Sequence, residues 1–217
     1  IIPPVVSDWL DKSKIDLLHS RGIIFDDISN PTLLTFLSSQ SNDDIASKFT
    51  SVDSILQQYF KILLEREQER QSLPLKVDEQ LSLMESVAGT MASFKQSTCT
   101  SVEIKDIIRM SLGEDILEYL DRYSDFSKED VPTEDEFLQK LSHHALLDRI
   151  PNTSNSIGFI NDFIFGYLIS EALTNNRLPN LSPKEIEEKY WNLMVTSYGT
   201  CSQKKRDALY RIITDNK

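Results

Sequence analysis

The stretch FLQKLSHHALLDRIPNTSNSIGFINDFIFGYLISEAL, Phe137 to Leu173, decides how the chain is read. Phe137, Leu138, Leu141 and Ala145 recur at helical spacing. Just ahead, Thr133 with Glu136 forms a capping box, in which hydroxyl and carboxylate each satisfy an orphan amide. Leu147 to Ile150 then gives way to Pro151-Asn152-Thr153-Ser154-Asn155-Ser156, which is pure turn chemistry. Ile157 and Phe159 alternate on the far side, so the pattern predicts a two-stranded hairpin. Asn161 or Asp162 caps the next helix, whose stripe is Ile164, Phe165, Leu168, Ile169, Ala172 and Leu173.

Working towards the N-terminus, Val77, Leu81, Met84, Val87, Ala88 and Met91 give one helix. A second capping box, Thr100 with Glu103, opens another through Ile104, Ile107, Ile108 and Leu112. Ile116, Leu117, Leu120 and Tyr123 form a short stretch before an acidic loop, Ser124 to Asp130. Helices closed by a two-stranded wing make the winged-helix arrangement, which either reads DNA or serves as a protein contact. The recognition helix would be Thr133 to Ala145, yet Glu134, Asp135 and Glu136 stand there against a single Lys140. Such a helix meets phosphate with like charge, so the protein-contact reading is favoured.

Further upstream, the prolines keep Ile1 to Val6 extended, and Ser7 caps a short helix with Trp9 and Leu10. Its apolar face continues through Ile15, Leu17 and Leu18 towards Gly22. Asn30-Pro31 starts a second helix with Leu33, Leu34, Phe36 and Leu37. Thr50 and Asp53 open a third, in which Ile55, Leu56, Tyr59, Phe60, Leu63 and Leu64 make one broad stripe. Its continuation, Glu65 to Arg70, is polar all round and reads as a solvated helix end with local ion pairs. At the other end, after Pro179, Ser182-Pro183-Lys184-Glu185 is a strong helix start leading to Ile186, Tyr190, Leu193 and Met194, with Gly199 as the stop. A last helix covers Ser202 to Thr214. The expected fold is all-α, mainly a helical bundle, with one small β-hairpin and a winged-helix-like central part. The segments are 1–76 (helical), 77–181 (winged-helix-like) and 182–217 (a helical hairpin). Trp9, Phe159 and Tyr167 are expected in the core.

Composition narrows the function classes. The 217 residues carry a formal net charge of -11, which disfavours nucleic acid and anionic membrane surfaces. Six glycines favour helices over phosphate loops, and none precedes a lysine. No Gly-x-Ser-x-Gly elbow occurs. No apolar run reaches membrane-spanning length. Cys99 and Cys201 lack metal spacing and read as free thiols of a reducing compartment. His143 and His144 are neighbours about 100° apart on a helix, so they do not chelate one ion and read as surface or boundary residues. Lys204-Lys205-Arg206 reads as a solvated helix face. No residue is named as catalytic, cofactor-binding or metal-ligating, and no cofactor is expected. Ile1 in place of Met points to a processed or cut N-terminus.

Four stretches carry a resemblance. "NPTLLTFL", Asn30 to Leu37, resembles the helix that follows the ATPase core of NACHT proteins, which belong to the signal-transduction ATPases with numerous domains. "VSDWLDKSKIDLLHSRGII", Val6 to Ile24, and "LLEREQER", Leu63 to Arg70, resemble segments of bacterial NACHT modules. Phe137 to Leu173 is similar to the end of the NACHT winged-helix region, with Phe159, Ile160, Asn161, Asp162, Tyr167, Leu168 and Ala172 in the matching places. The resemblance spans residues 6 to 173. It implies the regulatory helical and winged-helix part of a larger NTP-driven switch, with the phosphate loop and magnesium-binding strand ahead of Ile1. Where many relatives have a nucleotide-sensing His, this chain has Asn161-Asp162, a departure from the family pattern. Partners would be a protein or a neighbouring domain, with no nucleic acid and no membrane, in the cytoplasm, and the relatives imply antiviral defence. The rivals are a stand-alone helical adaptor that binds a partner protein or peptide, an enzyme without a familiar motif, and a DNA-binding regulator.

Overall fold

A computed structural model describes residues 4–126, 131–150, 155–175, 177, 188–198 and 203–215. Five short helices come first: α1 (Pro4–Trp9), α2 (Lys12–Ser20), α3 (Phe25–Ile28), α4 (Pro31–Ser39) and α5 (Asn42–Lys48). Most begin where a polar side chain takes an orphan backbone N–H. Asp11 accepts from Lys14, Asn30 from Thr32 with Pro31 as first residue, and Ser41 from Asp44. Two expectations change here. Val5 and Val6 belong to α1 instead of an extended lead-in, and Asp11, not Ser7, starts the helix that follows. Val6 and Leu10 fall one turn apart and are buried, which leaves Trp9 outside at 43% exposure and not in the core.

The long helix α6 (Val52–Gln71) starts one residue later than Thr50, at Ser51, whose hydroxyl accepts from the Ser54 N–H while its own N–H donates to the Ser54 hydroxyl. It stops where Ser72 turns left-handed at φ 50°. Then come α7 (Val77–Ser93), β1 (Thr98–Thr100), α8 (Ser101–Leu112), α9 (Asp115–Phe126), α10 (Glu134–Ser142), β2 (Leu147–Arg149) and β3 (Ser156–Phe159). Both predicted capping boxes close as expected, at Thr100 with Glu103 and at Thr133 with Glu136. The loop expected from Ser124 is helical at its start, because α9 runs on to Phe126, and residues 127–130 lie outside the described residues. The hairpin of β2 and β3 is present, and β1 joins it in an antiparallel sheet of order β1-β3-β2. Thr98 faces Gly158 and Leu147 faces Phe159 in the register. The predicted two strands are therefore three.

Helix α11 (Asp162–Thr174), capped by Asn161, is buried on every side from Phe163 to Leu173. Its sequence is apolar all round, which suits only a helix enclosed by others. It packs on α7 and on α12 (Glu188–Tyr198), and α13 (Gln203–Asp215) also touches it. The helix start at Ser182 to Glu185 and the stop at Gly199 lie outside the described residues. Phe159 and Tyr167 are buried as predicted. Tyr167 stacks on Phe60, which meets Tyr59 and through it Phe36, so one aromatic chain ties α4 and α6 to α11. The fold is mostly helical with one small sheet, and its buried apolar residues form one core from Val6 to Leu209. Among the described residues no helix is long and apolar enough to cross a membrane.

Gly158 sits in the central strand, where an added Cβ would meet the Ser97 carbonyl oxygen at 3.0 Å and Ile150 Cδ1 at 3.2 Å. Gly158→Ala is therefore expected to cost about 1–3 kcal/mol in urea denaturation, with the helical content unchanged by circular dichroism.

Candidate functional site

The apolar stripe of α6 runs through Leu56, Phe60 and Leu64, and the next inward position is Glu67. The residue expected on a solvated helix end is instead 1% exposed. A buried carboxylate must be fully hydrogen-bonded, and this one is. Arg70 donates to its two oxygens from Nε and Nη2, each at 2.8 Å. The Gln71 amide also donates to it, and the Ala145 N–H donates at 2.9 Å. Arg70 and Gln71 turn further donors onto the His143 carbonyl, both at 3.0 Å. The end of α6 thus holds the turn between α10 and β2 by side-chain hydrogen bonds across more than seventy positions of sequence. Burial alone would raise the Glu67 pKa, but the Arg70 and Gln71 hydrogen bonds and the Arg70 charge hold it below the ordinary value.

His144 in that turn is fully buried, a correction to the surface or boundary reading. The Leu146 N–H donates to its Nδ1 at 3.2 Å, so the proton sits on Nε2, which faces Gln80 Oε1 at 3.2 Å. Gln80, itself buried, donates to the Leu64 and Leu75 carbonyls. Burial drives the His144 pKa down to about 4 against the pull of nearby Glu67, with Arg70 adding to the fall. His143 stays exposed, with Nδ1 2.8 Å from the Gln139 carbonyl. A second tie comes from Lys140, whose Nζ donates to the Tyr123 hydroxyl at 2.6 Å and to the Gln71 carbonyl at 3.4 Å. The acidic first turn of α10 is held by α8, with Lys105 on Asp135 and Arg109 on Glu134, each at 2.8 Å.

Two clefts flank this frame. One of about 540 Å³ lies between α6 and α7, lined by Phe60, Val77, Leu81 and Tyr167 with Lys61 and Glu65 at its edge. The other, about 430 Å³, is bounded by α7, the end of α8, the start of α9 and Arg177. Its wall includes Tyr119, whose pKa is pushed up by burial and then by the carboxylates of Glu79 and Asp115. Glu85, buried behind it, is raised by burial against the opposing contacts of Arg177 and Asn175. Cys99 is a buried free thiol, pushed up to about 11 by burial and by Glu103, and Cys201 lies outside the described residues. Among the described residues no group of three His, Cys, Asp or Glu is placed to hold a metal ion. Comparison with protein-family models, curated proteins and solved structures finds no match.

Sequence reasoning missed both Glu67 and His144. The signal for Glu67 was its register, seven residues after Phe60 and three after Leu64.

Glu67→Ala is expected to cost about 2–4 kcal/mol, because the Ala145 N–H loses its acceptor. Glu67→Gln, which keeps an acceptor, should cost less than half as much, and urea denaturation of both variants measures the difference. The unfolded chain protonates His144 near 6.5 and the folded chain only near 4. Its neutral form thus favours folding above pH 6.5, and that stability falls as pH drops from 6.5 towards 4, by at most about 3 kcal/mol. Denaturation midpoints across this range should slope accordingly, and less steeply in His144→Gln.

Proposed function

We propose that this chain is a non-catalytic regulatory module of a NACHT-like NTP-driven switch, holding or releasing the ATPase core through protein–protein contacts. In this reading residues 77–181 form a winged-helix unit, 1–76 the helical segment before it and 182–217 the closing helical pair. Support for the winged-helix assignment is the order helix, strand, helices, hairpin, with β3 between β1 and β2. The observation that carries the switch reading is the joint between α6 and the α10–β2 turn. It adds side-chain hydrogen bonds around one buried carboxylate to the apolar packing of α6 on α7 and α11, and directional contacts of that kind can be exchanged for others when a packed interface switches. A DNA-reading role is disfavoured by Glu134, Asp135 and Glu136 on the first turn of α10. Antiviral defence and a cytoplasmic setting follow only from the resemblance.

A second reading, a stand-alone adaptor for a partner helix or peptide, is favoured by the cleft between α6 and α7. Phe60, Val77, Leu81 and Tyr167 give it an apolar lining of the kind that takes an amphipathic helix.

Translating the reading frame upstream of Ile1 separates the two. A Gly-x-x-x-x-Gly-Lys-Ser/Thr loop followed by an acidic strand is expected, and a start codon directly before Ile1 moves the reading to the adaptor. The isolated chain should leave ATP unbound in equilibrium dialysis, and stoichiometric binding would overturn the switch version. In a low-salt mobility shift, duplex DNA should run unretarded.

A further inference from the structure

We draw no further inference here: the strongest candidate, the apolar cleft between α6 and α7 lined by Phe60, Val77, Leu81 and Tyr167, carries none because nothing in the structure shows what covers it.

Discussion

A carboxylate that leaves water must find partners for its lone pairs, and that demand organises the middle of this protein. Glu67 lies at the inner face of α6, and its requirements are met from two directions at once. Arg70 and Gln71 come from its own helix, and the Ala145 backbone comes from the turn ahead of the sheet. The same residues then satisfy the His143 carbonyl, while Gln80 on α7 meets the His144 ring. Few apolar groups could place that turn so specifically, because hydrophobic contact is non-directional. The arrangement fixes where β2 begins, and through the sheet register it fixes β3 and β1.

What the sequence made legible was local. The capping boxes at Thr100 and Thr133, the cap at Asn161 and the turn chemistry before Ser156 each depend on residues within a few positions of one another. The caps stand in the structure, while Pro151 to Ser154 lie outside the described residues. What it hid was tertiary. A three-residue strand at Thr98–Thr100 is too short for alternation to register, and it exists because β3 offers an edge. Helix α5, with only Ile45 buried, has too little apolar face to announce itself. Glu67 and His144 are polar residues whose burial depends on partners far along the chain, so composition placed them at the surface. Trp9 fails the other way, since size suggested burial while the turn of α1 gave the inner places to Val6 and Leu10.

Electrostatics separates the surfaces of the molecule by role. On α8 and α10 opposite charges are spent on each other, Lys105 with Asp135 and Arg109 with Glu134, at exposed positions where each pair stabilises little. Such pairs orient two helices and mask the acidic turn more than they hold the fold together. Beside α9 the balance is left open at Asp78 and Asp115.

The enclosure of α11 also shapes how the protein must be made. Its buried face, Phe163 to Leu173, is the packing surface for α7, yet about seventy residues of chain separate the two helices. During synthesis α7 emerges long before α11 and has only α6 and α8 to cover its inner side chains, among them Met84, Val87, Ala88 and Met91. Helix α12, which also packs on α11, comes later still. The nascent chain therefore passes through a period of exposed apolar surface that ends only once α11 has been made, so slow elongation or truncation before Asp162 leaves a product prone to aggregation and to capture by chaperones.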